Sequence, residues 1–417
     1  MSREIRILSV ITRVVFGGAE RRLQDVFRAM PEAEHLVVVG RDSDPLAVEQ
    51  LAEQVKVIQS PYLVRAVEPR NDLRAVRELH QLMRRGSFDI VHTHHAKSGV
   101  VGRIAARTAG VPIVYHAASG ASFGPSYGRL ESTTLALAER LTAPLVSRYF
   151  VVGHDLAAQL ADNGISRRRL EVLRSSIDLA PFGHDGGEAW LERRTAWRAE
   201  LGIGPDEVVV CYVGRLDQFK GVRGLPALVQ AASDARRGDQ VPVTLVLAGP
   251  GPLRDELAAE AEDLRRGRAG AIKVRLLGHL TSVTEVMAGS DVLVLPSPKE
   301  GLPQVLVQAA ASGLPFVAYA VDGVSELRAM GAAGRVVPLY HREGYIAALA
   351  EELDRAGGSA SRSAPDPQRW AEWDPAVVAQ RYRTRHHDDL FRRNHSRWAV
   401  RLRGKGFLDQ APELPMI

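Results

Sequence analysis

The chain has 417 residues, of which 45% are hydrophobic and 25% are charged; these fractions are typical of globular proteins and exclude disordered and collagen-like classes. Its length exceeds what a single core usually holds, so we expect two domains. The formal net charge of +5, from 54 Lys and Arg against 49 Asp and Glu, is compatible with anionic small molecules or a membrane surface but too diffuse to indicate nucleic acid.

The single cysteine, Cys211, lies in an apolar run and has no second cysteine to pair with, which favours a reducing compartment. The N-terminal sequence MSREIRILSVIT has an early acidic residue and a short apolar stretch, so it predicts a first β-strand rather than a signal peptide. No apolar run reaches about 18 residues, so no membrane span is predicted. We therefore expect a cytoplasmic protein.

The first block begins like a Rossmann-type half. Residues 5–11 form a predicted buried strand, and the glycine pair Gly17 and Gly18 precedes a helix with apolar residues at helical spacing. The dinucleotide-binding pattern GxGxxG is absent, so neither a nicotinamide nor a flavin is predicted.

Two polar patterns in this block resemble metal ligands, but a structural role is favoured for both. Asp42 and Asp44 follow the second strand, where Asp and Ser also favour turns. His92 and His94 share one face of a predicted strand over 89–95, and no third ligand is evident. We expect no metal and no cofactor.

His116 is a candidate site residue. The strand predicted over 112–116 would deliver it into the small-residue loop AASGAS at the carboxyl end of the sheet. A single histidine in this position can equally be structural. Strands over 148–152 and 169–173 complete the block.

The pattern of strands and helices restarts after the glycine-rich segment 181–206. The loop GRLDQFKG after the first new strand places Arg215 and Lys220 around a turn, and the glycines of 249–252 would let backbone approach a ligand. Further strands are predicted over 208–213, 243–248, 274–278, 291–295 and 315–321. The predicted class is α/β, with two doubly wound parallel sheets whose loops face each other across a cleft.

The domain organisation follows from these blocks. We predict an N-terminal domain at residues 1–185 and an interdomain connection at 186–205. A C-terminal domain follows at 206–370, and a helical segment with a tail occupies 371–417. Residues 357–367 are rich in Gly, Ser and Pro, which is typical of a linker. The C-terminal helix is rich in arginine, which favours a solvated face, with peripheral contact at the inner face of an anionic membrane as the alternative.

Residues 291–315 combine a strand, a loop and a helix. Pro303 suits the first helical position, and Gly313 followed by Pro315 suits the helix end. Free N–H groups at the helix start would attract an anion, with Glu300 and Gln308 facing the same ligand. The alternative is an ordinary loop with a solvated Glu300.

Four motifs in order resemble a retaining GT-B glycosyltransferase of the group 1 or family 4 class: GGAE, VGRLDQFKG, LAGPGPLR and the segment 291–315. The resemblance spans residues 5 to about 340. It implies two Rossmann-like domains with a C-terminal helix crossing back to the first. It also implies a UDP- or GDP-sugar donor and a glycan or lipid-linked acceptor, and it extends to enzymes of cell-envelope or exopolysaccharide synthesis.

The resemblance also implies roles for matching residues. Arg215 and Lys220 would grip the donor diphosphate, whereas Glu300 and His116 would contact the donor sugar. The remaining predicted donor-binding residues are Gly17 and Gly18 near the diphosphate, Gly278 and His279 near the base, and Gly301, Gln304, Val305 and Gln308 near Glu300.

Two departures from the family pattern stand out. Gln308 replaces the second glutamate of the pair that holds the ribose; an amide offers one acceptor oxygen where a carboxylate offers two, so weaker donor binding is expected. Residues 175–178, SSID, replace the usual Asn-Gly before the Asp near the domain hinge. Two alternatives to a transferase are a catalytically inactive sugar-nucleotide-binding partner and a sugar-nucleotide epimerase on the same fold.

Overall fold

Strands and helices alternate along most of the chain. A computed structural model of the protein describes residues 4–15, 18–124, 127–183, 188–238, 241–267, 270–357 and 366–403. The first half contains β1 (Arg6–Ile11), α1 (Gly18–Ala29), β2 (Glu34–Gly40), α2 (Pro45–Ala52), β3 (Lys56–Ser60), α3 (Pro69–Gly86), β4 (Ile90–His94), α4 (Ala96–Thr108), β5 (Ile113–Ala118), α5 (Arg129–Thr142), β6 (Arg148–Val151), α6 (His154–Asp162) and β7 (Leu170–Val172). The second half contains α7 (Glu188–Glu200), β8 (Val208–Val213), α8 (Leu225–Asp234), β9 (Val243–Ala248), α9 (Arg254–Gly267), β10 (Lys273–Gly278), α10 (Thr284–Gly289), β11 (Val292–Leu295), α11 (Gln304–Ala311), β12 (Phe316–Tyr319), α12 (Val324–Ala329), β13 (Gly334–Val337), α13 (Arg342–Gly357) and α14 (Pro375–Arg403).

Each half forms one parallel sheet. The first has seven strands in the order β3-β2-β1-β4-β5-β6-β7, and the second has six in the order β10-β9-β8-β11-β12-β13. The central strands are apolar runs buried along nearly their whole length, as expected where helices cover both faces of a sheet. The predicted class, two doubly wound parallel sheets, is confirmed.

The topology places a crevice in each domain. The chain order reverses between β1 and β4 in the first sheet and between β8 and β11 in the second. Loops that leave neighbouring strands at such a point run apart and open a crevice at the carboxyl edge, where ligands bind in folds of this kind. The loops after these four strands therefore bound the candidate site.

The last helix, α14, returns to the first domain and packs against α1. Within it, Arg381 donates to the Val172 carbonyl oxygen at 2.6 Å, and Arg385 pairs with Glu171 at 2.9 Å. The predicted return of the C-terminal helix is confirmed. These arginines face protein groups, so they do not supply a free positive edge for a membrane. None of the helices in the described ranges is both long and apolar enough to cross a bilayer.

The patterns that resemble metal ligands have structural partners. His92 Nε2 lies 2.7 Å from His386 Nε2 on α14, and burial lowers the pKa of both rings, that of His386 to about 3. The Asp44 carboxylate caps α2 by accepting from the N–H groups of Leu46 and Ala47 at 3.0 and 3.2 Å. These contacts of His92 and Asp44 favour the structural interpretation of both patterns. In the described ranges no group of three or more His, Cys, Asp or Glu is arranged to hold a metal ion.

A buried arginine joins the two domains. Arg174, which is 2% exposed, pairs with Glu326 of the second domain. The same carboxylate accepts from the His154 N–H at 3.0 Å, and Asp155 accepts from the Gly323 N–H at 3.0 Å. The domains are therefore held together at one end of the cleft by groups that belong to neither of their cores.

The segment 175–178 passes between the domains without a regular element. The Ser176 N–H donates to Asp25 of α1 at 3.0 Å, and the Ile177 N–H donates to the Trp373 carbonyl oxygen at 2.8 Å. Backbone hydrogen bonds to Asp25 and to Trp373 thus hold the segment 175–178, which departs from the family pattern, in place.

The predicted interdomain connection, 186–205, contains α7, which packs against α10 of the second domain. Arg194 on α7 pairs with Asp291 at 2.6 Å. Most of the predicted linker, residues 358–365, lies outside the described residues. The domain boundaries stay predictions.

Candidate active site

The loop after β8 holds Arg215 and Lys220 on a defined turn. Residues 218–220 form a short 3-10 helix, and the Asp217 carboxylate caps it by accepting a backbone N–H at 3.0 Å. The turn ends at Gly221, whose φ of 67° suits glycine and whose missing Cβ leaves room for a carbonyl oxygen of the loop after β11. Backbone constraints therefore fix where both cations emerge.

The glycine-rich loop 249–252 supports this turn. The Leu216 N–H donates to the Pro250 carbonyl oxygen at 2.8 Å. A Cβ on Gly249 or Gly251 would overlap backbone oxygens of the neighbouring loop. The absent Cβ atoms therefore make room for neighbouring backbone, and the approach of this loop to a ligand stays a prediction.

The structure brings Lys220 and Glu300 together. Lys220 Nζ lies 2.7 Å from Glu300 Oε1, and the Glu300 side chain is 14% exposed. Arg215 Nε lies 3.0 Å from Asp217 Oδ2. Each predicted diphosphate ligand therefore has a carboxylate beside it, and the Lys220–Glu300 pair places a cation and an anion side by side at the cleft. Such a pair offers charged hydrogen-bond donors and acceptors to a ligand in the cleft.

The two domains touch at Gly301. A Cβ on Gly301 would overlap the Ser119 carbonyl oxygen and lie 2.9 Å from Gly120 Cα, so only glycine fits there without a shift. Nearby, Lys299 Nζ lies 3.4 Å from the centroid of the Tyr127 ring, a cation–π contact between the domains. The loop after β5 therefore lies directly against the loop that carries Glu300.

The helix α11 begins beside Glu300, as the sequence predicts. Pro303 is its N-cap, one position before the predicted place, so Gln304 and Val305 are the first two helical residues. Their N–H groups have no partner within the helix and point out of its N-terminus. At the other end, Gly313 has a φ of 60° and the Leu314 N–H donates to the Ala309 carbonyl oxygen at 2.8 Å, which confirms the predicted helix end.

Gln308 lies one turn further along α11 and is 8% exposed. No hydrogen bond of its side-chain amide is found within the described ranges, although its carbonyl oxygen accepts from Ser312. Its amide atoms are not among the fully buried polar atoms that lack a partner in the described ranges. They therefore keep access to the cleft, where a ligand hydroxyl can pair with them.

His116 is not delivered into the loop. The strand β5 continues to Ala118, so His116 lies within the sheet, 3% exposed, with Nδ1 2.9 Å from the Thr93 hydroxyl. Burial, then Arg103, lowers its pKa well below the usual value, so the ring is neutral. The predicted strand end was two residues short, and Ser119 and Gly120 occupy the place beside Glu300. In the sequence, the small-residue loop AASGAS was the feature that could have indicated Ser119 and Gly120.

The other predicted donor-binding residues lie at loop starts and ends. Gly278 ends β10 with a φ of 71°, and its carbonyl oxygen accepts from the Gly249 N–H at 2.7 Å. His279 follows it and is exposed. Gly18 is the first residue of α1, and Gly17 lies outside the described residues. Their contacts with a donor stay predictions.

A cavity of about 480 Å³ lies between the domains beside the Arg215 turn. The first domain contributes Arg13, from the loop after β1, and Arg65, from the loop after β3; the second contributes Arg215, Phe219 and Lys220. The sequence does not single out the two arginines of the first domain, because neither belongs to a recognisable pattern. The cavity is strongly cationic and contains the predicted diphosphate ligands.

Two parallel-sheet domains facing a cleft, with a helix returning from the second to the first, define the GT-B class of glycosyltransferases. Two family models match the chain: one described as "Glycosyl transferase 4-like domain" over residues 17–175, and one described as "Glycosyl transferases group 1" over residues 207–355. The chain is 30% identical to the glycosyltransferase EpsF of Bacillus subtilis over 320 residues, which cover 76% of this chain and 79% of EpsF. The chain therefore belongs to the group 1 glycosyltransferases.

Two further similarities are informative. The Escherichia coli UDP-Gal:alpha-D-GlcNAc-diphosphoundecaprenol alpha-1,3-galactosyltransferase is 26% identical over 355 residues, covering 84% of this chain and 88% of that enzyme. Among solved structures, Anabaena Alr3699/HepE in complex with UDP has a TM-score of 0.65 at 20% identity, with 92% of this chain and 100% of that chain covered. The latter similarity concerns the fold.

Proposed function

We propose that this glycosyltransferase moves a sugar from a UDP- or GDP-sugar to an acceptor hydroxyl, with retention of anomeric configuration and without a metal ion. The convergence of Arg215, the Lys220–Glu300 pair and the start of α11 at one cleft edge is the observation that carries this proposal. Two side-chain cations and free helix N–H groups supply the positive charge that a diphosphate needs. The names of the E. coli galactosyltransferase and of the UDP-bound Anabaena protein support a nucleotide-sugar donor.

The residues act on charge and position. As the anomeric C–O bond breaks, negative charge grows on the leaving diphosphate, and Arg215 and Lys220 stabilise it. The acceptor oxygen forms the new bond to the anomeric carbon, and its proton passes to the leaving diphosphate. Glu300 holds the sugar hydroxyls, so no protein nucleophile is required. We assign the contact from the first domain to the loop at Ser119, because His116 is buried beneath it.

A panel of nucleotide sugars tests the proposal. Nucleotide release should require a candidate acceptor, and the rate should be the same in EDTA and in magnesium chloride. Conversion of the sugar without an acceptor would identify an epimerase, and binding without release or conversion would identify an inactive partner. The glycan or lipid-linked acceptors of cell-envelope and exopolysaccharide synthesis are the compounds to try, since the name of the E. coli relative specifies a diphosphoundecaprenol-linked acceptor.

Replacing Gln308 by glutamate should tighten donor binding about tenfold. A carboxylate offers two acceptor oxygens to the ribose hydroxyls, and a charged acceptor gains about 1 kcal/mol over a neutral one. Calorimetric titration of the variant with UDP-sugar and GDP-sugar measures the change. Gln50→Glu, an exposed change on α2, controls for added charge. A weaker affinity in Gln308→Glu would show that the ribose lies elsewhere.

We propose that peripheral contact with an anionic membrane is made through α5 rather than α14. On α5, Leu130, Leu137 and Leu141 are 82%, 54% and 67% exposed, and their spacing places them on one face of the helix. Exposed arginines lie near its C-terminal end, at Arg140 and in the segment 167–168. Apolar side chains beside basic ones suit the surface of an anionic bilayer.

Replacing Leu137 and Leu141 together by serine should weaken binding to phosphatidylglycerol-containing vesicles at least tenfold. Each leucine that enters the bilayer contributes about 1.5–3 kcal/mol at full burial, and these two are only partly buried in the free protein. Vesicle co-sedimentation measures the loss. Leu191→Ser, at a residue 56% exposed on α7, is the matched control. Equal binding by both variants would exclude α5 as the contact.

A further inference from the structure

The arginine and lysine side chains that line the cationic cavity between the domains fall into two groups, those with a carboxylate partner and those without one in the described part of the chain. On the second domain, Arg215 and Lys220 already have carboxylate partners at 3.0 and 2.7 Å. On the first domain, no ion pair of the Arg13 or Arg65 side chain is found among the residues that the structure describes. The Arg65 guanidinium instead lies over the ring of Phe219, 5.5 Å from its centroid. Arg13 and Arg65 therefore face the cleft without an ion-pair partner in the described part of the chain.

The charges in the cavity repel one another. Burial lowers the pKa of Arg13, and Arg215 and Arg65 lower it further, whereas Asp42 and Asp217 oppose this by raising it less. The guanidinium stays charged near neutral pH. A bound anion would relieve this repulsion. Under the proposed function, the donor diphosphate takes the Arg215 and Lys220 side, so a second anion is needed to match Arg13 and Arg65.

A histidine side chain lies near the same two arginines. His95 follows β4 and is the N-cap of α4, with a φ of 69° that non-glycine residues rarely adopt. Burial, then Arg13 and Arg65, lowers the pKa of His95 to about 4, so a neutral imidazole lies near both arginines. Strained backbone of this kind persists where the surrounding structure over-determines it, and it is concentrated at binding sites. Two cations and a neutral hydrogen-bonding ring together fit a phosphate group.

We propose that Arg13 and Arg65 bind a phosphate group of the acceptor, so that the acceptor is a phosphorylated compound. This inference rests on the proposed function and specifies its acceptor class. The phosphate itself does not react: it fixes the acceptor in the first domain while a separate hydroxyl attacks the anomeric carbon of the donor sugar. A lipid-linked sugar diphosphate and a soluble sugar or polyol phosphate both supply this group.

The test separates acceptor binding from donor binding. Inorganic pyrophosphate is titrated by calorimetry into protein saturated with UDP or GDP, whichever binds. Arg13→Gln and Arg65→Gln should each weaken this second binding event about 10- to 100-fold, the value of one charge-assisted hydrogen bond, with nucleotide affinity changed less than twofold. Arg41→Gln, at an exposed arginine of the same domain, should change neither.

Kinetics then identify the source of the phosphate. Nucleotide release is compared with a polyprenyl-diphosphate-linked sugar in detergent, with a hexose phosphate, and with the same hexose without phosphate. Only phosphorylated compounds should support turnover, and Arg13→Gln and Arg65→Gln should each raise the KM for these compounds at least tenfold. An equally good unphosphorylated acceptor, or a loss of nucleotide affinity in either variant, would overturn the inference and leave the proposed function standing. Failure of wild-type protein to bind any nucleotide would instead contradict the proposed function.

Discussion

Replacing Lys220 by alanine is expected to lower kcat about a thousandfold. The variant loses a cation that stabilises the departing diphosphate, and removal of one such preorganised group typically costs 10²–10³ in rate, or about 3–4 kcal/mol. It also leaves the Glu300 carboxylate, 2.7 Å from Lys220 Nζ in the native protein, uncompensated beside the phosphates. Initial rates of nucleotide release at saturating donor and acceptor measure the effect.

A matched control is available in the same domain. Lys273 Nζ lies 2.7 Å from Glu207 Oε1. Lys273 begins β10 and Glu207 precedes β8, so the pair lies at the amino ends of these strands, away from the cleft, and Lys273→Ala should keep near-native activity. The double variant Lys220→Ala with Glu300→Gln separates the two effects of losing Lys220. A rate for Lys220→Ala within threefold of the native rate would be incompatible with its proposed role.

Replacing Gly301 by alanine is expected to lower kcat about a hundredfold without unfolding either domain. The new Cβ would overlap the Ser119 carbonyl oxygen, so the loops after β5 and β11 must separate. Displacement of a reacting group by about 1 Å can cost 10²-fold in rate. The thermal unfolding midpoint should change little, because the contact lies between the domains and outside their apolar cores.

Gly120→Ala tests whether the effect is steric. A Cβ on Gly120 would lie 3.7 Å from Gly301 Cα, an ordinary van der Waals contact, so this variant should lose far less activity. Equal losses in the two variants would mean that the loop after β5 does not tolerate any change. Full activity of Gly301→Ala would mean that catalysis takes place with the loops after β5 and β11 farther apart than in this structure.

The fold was predictable from the sequence because its signals are local. Runs such as 208–213 and 292–295 are apolar along their whole length, and each is followed by a loop and a helical pattern, which is typical of parallel sheets covered on both faces. Errors at element ends were one or two residues. The largest consequence was at β5, where the strand continues through Ala118 and keeps His116 inside the sheet.

The candidate site was predictable only in the second domain, whose loops carry recognisable motifs. Arg215, Lys220, Glu300 and α11 follow strands of the second domain at recognisable spacing, and the structure places them together. Arg13 and Arg65 were missed because single arginines in irregular loops have no pattern, and the pairing of Lys220 with Glu300 joins residues 80 positions apart. Such contacts depend on how β8 and β11 become neighbours.

The sequence by itself determined the α/β class, the number of sheets and the elements that carry the phosphate ligands, because hydrophobic periodicity and glycine-bearing turns are properties of short segments. Only the tertiary structure decided which loop of the first domain meets Glu300, which cations of the described cavity have an ion-pair partner, and how Arg174 and α14 hold the domains together. These features arise from contacts between distant segments, whose geometry depends on strand order and domain packing rather than on local spacing.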